Sequence, residues 1–337
     1  MTGSPAELLR VTYSTAAADA VAAFVGARYD LPGPLECILL RRGFNDCFAI
    51  RASDEARYVF RISGRRRRGD ADVDTETKFL AYLESVGLPV ATAVPARGGL
   101  LFCEIPLSEG SRPAVLFHYA EGRPPKGDAP EDARAQGVTL ARIHAAAEDF
   151  PTREAGRYRL DLDHLLHRQV AAVTELKEVT DETRRFLSEL STRLDASVNA
   201  LQDLSWTRCH GDCHGGNARI ISDGPGAGQA RFFDFDDGGY GYLAYDLAVN
   251  LWAQVSFGRH GHAMWFAFID GYRSVRPIAQ EDFDAIVLFV PIRHIWLMGE
   301  YAGRVAEWGT ESMVWLGQQE KFLQTWEAEK LSPSLLG

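Results

Sequence analysis

Several strong signals are missing from this sequence of 337 residues. It has no disulfide framework. Five cysteines, at positions 37, 47, 103, 209 and 213, form an odd and scattered set, which reads as free thiols in a reducing compartment. Basic charge is not in excess either: the formal net charge is -10. That balance argues against a general nucleic-acid binder, which needs a net basic face, but it leaves room for a local cationic site for an anion. The leading segment, MTGSPAELLR, has no apolar signal core. The most apolar C-terminal stretch, residues 283–298, is broken by Asp284, Pro291, Arg293 and His294. No stretch reads as a membrane span. The expectation is a cytoplasmic protein without a membrane or nucleic-acid partner. There is no repeat of fixed period, and no GxxxxGK[ST] sequence, which disfavours a P-loop ATPase.

What is present is enough apolar material, 46% of residues, for a sizeable core. A chain of this length is expected to form two domains. Residues 14–29 read as a helix, with Ser14 as its cap and an alanine-rich interior. Residues 36–42 and 47–51 read as strands around the turn Gly43-Phe44-Asn45-Asp46, and residues 57–62 as a third strand. A helix is expected over 73–86, stopped by Gly87 and Pro89, then short strands near 90–94, 100–104 and 114–119. Residues 120–130 are rich in Gly and Pro and make the best hinge. Beyond them helices dominate, as over 131–148, 180–194 and 282–304. The expected organisation is an N-terminal β-rich lobe over 1–119, a linker over 120–130 and a helical lobe over 131–337.

The densest chemistry is Cys209-His210-Gly211-Asp212-Cys213-His214-Gly215-Gly216-Asn217, followed by Phe232-Phe233-Asp234-Phe235-Asp236-Asp237. Asp212 sits among glycines that let the backbone turn tightly. A carboxylate so placed can orient a substrate hydroxyl and accept its proton, or simply cap a turn. The Asn217 amide oxygen suits Mg²⁺, a hard cation, and Asp234, behind a short strand over 231–233, can share the same ion. Zinc is disfavoured. Cys209, His210, Cys213 and His214 lie within six consecutive residues and can hardly enclose one ion tetrahedrally. His210 is better read as a buried orienter bonded to backbone. The neighbouring carboxylates argue against a nucleophilic Cys209 or Cys213.

In the N-terminal half, Arg61 on the third strand and Glu76 on the following helix could form a phosphate clamp, with a surface arginine and a surface glutamate as the plainer readings. The run Arg65 to Arg68, followed by Asp70, Asp72 and Asp74, reads as a solvated loop. The turn containing Gly43 and Asn45 is too short to be a phosphate motif by itself.

Taken together, these residues resemble the aminoglycoside phosphotransferase/choline kinase-like family, a branch of the protein-kinase-like fold, over about residues 35–305. The family's HGD-x₄-N loop is matched by His210-Gly211-Asp212 and Asn217, its metal-binding aspartate by Asp234, and its later structural aspartate by Asp246-Leu247-Ala248. The segments 115–122 and 141–144 are similar as well. The resemblance implies an α+β, two-lobed fold with Asp212 catalytic and Asn217 and Asp234 holding Mg²⁺. ATP, or GTP, would be the phosphoryl donor. Arg61 would contact its inner phosphates with Glu76 as orienter, Gly43 and Asn45 would lie in the nucleotide loop, and backbone near Phe117 and Tyr119 would meet adenine in an interlobe cleft. The acceptor site would be framed by residues 249–272 and 292–308. Arg61 departs from the lysine that kinase-like enzymes commonly place there; Arg reaches phosphate in a different geometry. The shading is toward stress-response kinase-like and homoserine kinase-like branches. Three functions follow. The leading one is phosphorylation of a small-molecule hydroxyl, with a cationic acceptor suited to an acidic protein. The other two are a serine/threonine protein kinase and a non-catalytic nucleotide sensor or scaffold. Oligomeric state is left open.

Overall fold

The structure is a computed structural model that describes residues 9–64, 69–152, 154–156, 158–256, 262–313 and 316–329. The arginine run at 65–68 lies outside these residues. The fold is of the protein-kinase-like type, with a β-rich N-terminal region and a helical C-terminal region. The chain divides into two compact units: residues 1–70 with 93–119, and residues 71–92 with 120–337. One division thus falls at 119/120, where composition changes. Residues 71–92 and the Gly/Pro-rich segment 120–130 both belong to the second unit.

In the first unit, helix α1 (Ala18–Arg28) precedes strands β1 (Glu36–Arg42), β2 (Asn45–Arg51) and β3 (Arg57–Ser63), with β4 (Cys103–Leu107) and β5 (Gly110–His118) after the excursion into the second unit. The strands form one antiparallel sheet in the order β1-β2-β3-β5-β4. Alternation along β2 and β3 sends Phe48, Ile50, Phe60 and Ile62 to one face, where Val21 and Val25 of α1 and Tyr29 just beyond its end complete the core. Ser14 does not cap α1. The helix starts after Ala17 with no side-chain cap, and the Ser14 hydroxyl instead donates to Glu109 Oε2 at 2.5 Å. The strand expected at 90–94 is reduced to isolated bridges at Val90 and Ala93.

The second unit contains α2 (Asp70–Ser85, its first residue assigned to the other unit), α3 (Pro130–Glu148), β6 (Arg159–Leu160), α4 (Arg168–Thr174), α5 (Asp181–Ala200), β7 (Trp206–Cys209), β8 (Ala218–Ile220), β9 (Ala230–Phe232), β10 (Gly239–Tyr242), α6 (Leu243–Val255), α7 (His262–Arg273), α8 (Gln280–Ala302), α9 (Val305–Trp308) and α10 (Leu316–Glu329). β6, β10 and β7 make a small sheet, and β8 pairs with β9. Helices α3 and α7 approach so closely that a Cβ at Gly137 would lie 1.9 Å from the Phe268 carbonyl, and one at Gly271 2.2 Å from the Arg134 carbonyl. Glycine at these two contacts lets the backbones meet. Segment 120–130 is tied down: Arg123 forms a two-pronged ion pair with Asp132, at 2.6 and 2.7 Å, and pairs with Ile220 through backbone. Helix α8 is long and apolar enough to span a membrane, but 72% of its most apolar window is buried inside the protein. It is a core helix that carries Arg293 and His294 among Phe289, Ile292, Ile295 and Trp296.

Candidate active site

The loop that follows β7 is built by its backbone first. Cys209 pairs with Gly239 on β10, and Gly211 then turns with φ +84°. A Cβ there would lie 2.0 Å from the Asp237 carbonyl, so both the conformation and the close approach require glycine. The loop folds on itself through His214 N–H to the Asp212 carbonyl (2.8 Å) and Asn217 N–H to the His214 carbonyl (2.9 Å). His214 Nδ1 accepts from Gly216 N–H at 2.9 Å and caps the short turn Gly215–Asn217.

Asp246, in the first turn of α6, anchors this loop. It is fully buried and accepts the N–H groups of His210 (2.6 Å) and Gly211 (2.7 Å). His144 of α3 donates to it from Nε2 at 3.0 Å, and His144 Nδ1 bonds the Tyr272 hydroxyl at 2.8 Å. Burial alone would raise the Asp246 carboxyl. The His144 hydrogen bond, the nearby histidines and the Gly211 N–H together hold it below the usual carboxylate range. The chain Tyr272–His144–Asp246 therefore positions His210 and Gly211 from outside the loop.

His210 works as an orienter. Its Nδ1 accepts from Asp212 N–H at 3.2 Å, so Nε2–H donates to the Phe233 carbonyl at 3.1 Å. Burial pushes the ring's pKa down despite Asp246 and Asp212 nearby, which keeps it neutral. Phe233 N–H in turn donates to the Asn217 carbonyl at 3.1 Å. Phe233, the residue before Asp234, thus bonds to both ends of the loop, His210 and Asn217. Asp234 itself has φ +65°, a left-handed conformation that aspartate tolerates better than most side chains.

Three side chains converge on Asp212. Asn217 Nδ2 donates to the Asp212 Oδ2 at 2.8 Å and to its carbonyl at 3.0 Å. His214 Nε2 stands 3.4 Å from Oδ2. Arg293 of α8 donates to Oδ1 at 2.5 Å. Burial would raise this carboxyl, but the Arg293 charge, then His214 and His210, overcome it and hold Asp212 well below the ordinary carboxylate range. With the Asn217 amide nitrogen committed to Asp212, its Oδ1 is the atom left to meet a cation. An amide oxygen and a carboxylate suit Mg²⁺, which takes few protein ligands and completes its shell with phosphate oxygens and water. Asn217 and Asp234 fit that requirement.

Among the other expected residues, Arg61 is buried in the first unit on β3, between Cys47 and Val115, with its guanidinium 4.9 Å from the Phe117 ring centre. It is not a surface strand arginine. Glu76 is buried on α2 and belongs to the second unit. The Asn45 side chain is buried and accepts from Gly64 N–H at 3.0 Å, while its carbonyl accepts from Gly43 N–H at 3.1 Å. Phe117 is buried on β5, and Tyr119 donates its N–H to the Arg57 carbonyl at 3.2 Å beneath the Arg57 guanidinium. Cys209 and Cys213 are buried, and burial followed by the charge of Asp246 pushes both thiols up, away from reactive thiolate.

The sequence places Arg293 and Tyr272 within the segments expected to frame the acceptor site, and His144 within the family-like segment 141–144. It assigns none of the three a contact with the loop or with Asp246, and nothing local to positions 144 or 272 links them to position 246.

Comparison with known proteins bears on the family and the fold. A protein of Deinococcus radiodurans described as uncharacterized is 37% identical over 305 residues, covering 89% of this chain and 86% of its own. Homoserine kinase of Caulobacter vibrioides is 26% identical over 293 residues, with 84% of this chain and 85% of the kinase covered. Among solved structures, amicoumacin kinase hAmiN in complex with AMP-PNP, Ca²⁺ and Ami superposes with a TM-score of 0.72 at 19% identity, covering 90% of this chain and 92% of that one. The APH phosphotransferase enzyme family matches residues 39–278, and the chain belongs to that family.

Proposed function

We propose that this protein transfers the terminal phosphoryl group of ATP to a hydroxyl of a small amine-bearing alcohol, in a reaction that needs Mg²⁺. The observation that carries this reading is the Asp212 carboxylate, held at one oxygen by Arg293 and at the other by the Asn217 amide nitrogen. In the transfer, the bond from the γ-phosphorus to the β,γ-bridging oxygen breaks, and its electron pair leaves with ADP. The acceptor oxygen forms the new bond to phosphorus. Its proton passes to Asp212 and on to water. Mg²⁺, when bound, offsets charge on the phosphate oxygens.

Asp212 is held too acidic to strip a proton from a resting alcohol. Its main work is to align the hydroxyl by accepting its hydrogen bond, and to take the proton late, as bonding to phosphorus acidifies it. A loose transition state, with little bonding to the nucleophile at its onset, suits such a weak base. Asn217 and Asp234 are the residues assigned to the metal. Arg61, the buried cation of β3, is assigned to the inner phosphates.

The homoserine kinase relatives support an acceptor that carries an amine beside its hydroxyl, and the formal charge of -10 favours approach of a cationic group. The test is a product-mass screen with MgATP, starting from L-homoserine and extending to other amino alcohols and amino sugars. A product heavier by one phosphoryl group is expected for one of them. No product from any, with robust phosphorylation of protein serine or threonine, would select the protein-kinase reading instead.

A further inference from the structure

Arg293 is out of place for a core helix. It projects from α8 among Phe289, Ile292 and Ile295, all fully buried, and is itself only 3% exposed. Its guanidinium lies 4.4 Å from the Trp296 ring centre and 5.1 Å from that of Trp252. One nitrogen donates to Asp212 Oδ1 at 2.5 Å; the other reaches the Tyr245 hydroxyl at 3.2 Å and the Gly211 carbonyl at 3.4 Å. A buried ion pair of this kind is a poor investment in stability, since taking both charges out of water costs about what their attraction returns. The return lies in geometry. The same carboxylate is held at its other oxygen by Asn217, and the same guanidinium holds the carbonyl of the glycine before it.

We propose that Arg293 is a positioning residue for phosphoryl transfer, pinning the Asp212 carboxylate in the rotamer that Asn217 also grips so that it faces the acceptor hydroxyl. This rests on the phosphotransferase reading above. The fork geometry matters as well as the charge. A guanidinium can address Oδ1, the Tyr245 hydroxyl and the Gly211 carbonyl at once while lying between two indoles. A lysine ammonium at this position could keep the charge but not that set of contacts.

The test uses the full chain with MgATP and water as the acceptor, read as ADP and inorganic phosphate formed, beside crystal structures of the variants. Arg293→Met is expected to lower kcat by about 10²-fold, the scale of a misplacement near 1 Å, with the KM for MgATP nearly unchanged. Arg293→Lys should stay on the order of tenfold below wild type, as loss of a charged hydrogen bond implies. Guanidinium ion at non-denaturing concentration should partly restore Arg293→Ala, which a purely structural loss would not allow. In crystals of Arg293→Met the Asp212 carboxylate should leave Asn217 Nδ2. Should Met not fold, Lys carries both the kinetic and the crystallographic arm. Wild-type kcat in the folded variants, or an Asp212–Asn217 bond unchanged in their crystals, overturns the proposal. If the wild-type protein neither binds nor turns over MgATP, the phosphotransferase reading is what fails, and the crystals alone then decide whether Arg293 positions Asp212.

Discussion

The loop after β7 in the second unit and the turn after β1 in the first are made of similar residues, and they are held in opposite ways. In the loop, glycines, Asp212 and Asn217 are braced from elsewhere: Asp246 of α6 takes the His210 and Gly211 N–H groups, His144 of α3 steadies Asp246, and Arg293 of α8 takes Asp212. At the turn, Asn45 and Asp46, the first residues of β2, are the braces. Asn45 accepts from Gly64 N–H at 3.0 Å, and the buried Asp46 pairs with Arg112 at 3.2 Å. Polar side chains that are supported by others can point at a ligand. Asn45 and Asp46 instead each commit a side-chain oxygen to holding their own unit. A Gly-Asn-Asp composition alone does not separate the two cases.

Breaking the loop's backbone should have the largest effect. Gly211→Ala forces a side chain into positive φ and toward the Asp237 carbonyl, and transfer should fall by at least about 10²-fold in a MgATP turnover assay. Next comes the remote brace. Asp246→Ala leaves two buried N–H groups and His144 without their acceptor, and should cost about 3–5 kcal/mol, read from chemical denaturation.

The turn gives the contrasting case. Asn45→Ala removes the acceptor of a buried N–H and should cost about 1–3 kcal/mol while changing the KM for MgATP little. A large rise in KM at unchanged stability would give the Asn45 side chain back to the nucleotide.

The last contrast concerns acid, and its effect at any one pH step is small. His294 accepts from Trp252 Nε1–H at 3.0 Å, and burial, with Arg293 beside it, lowers its pKa to about 3. The unfolded chain protonates this ring near the ordinary value of about 6.5. Stability is therefore full above that pH and is lost as pH falls toward the folded value, by at most about 1.4 kcal/mol per pH unit. His294→Asn should flatten that part of the stability profile. An unchanged slope would mean that other groups carry it.

These contrasts also mark what was legible beforehand. The loop and Asp234 stand out in the sequence because their chemistry is concentrated in two short segments. The strands β1 to β3 and the helices α3, α5 and α8 could be read because apolar periodicity and Gly/Pro stops are local. The α1 start was misjudged because a distant partner, Glu109, competes for Ser14. The contacts of Arg293 and His144 are illegible for the same kind of reason. Arg293 lies 81 residues from Asp212 in sequence, and His144 lies 102 from Asp246. A side chain's role at such separations is fixed by helix packing and leaves no spacing to recognise. Arg61 shows the milder form: its residue type was visible, but its burial against Phe117 was not.

The most direct test of the account is rapid-quench transfer from MgATP in Asp212→Asn, with nucleotide binding measured alongside. The amide keeps the shape of the carboxylate but cannot offer the acceptor hydroxyl the same charge or take its proton. The account predicts nucleotide affinity close to wild type and transfer slower by roughly 10²-fold or more. Transfer at the wild-type rate would contradict it, and so would loss of nucleotide binding together with transfer, which would make Asp212 part of the nucleotide or metal site instead.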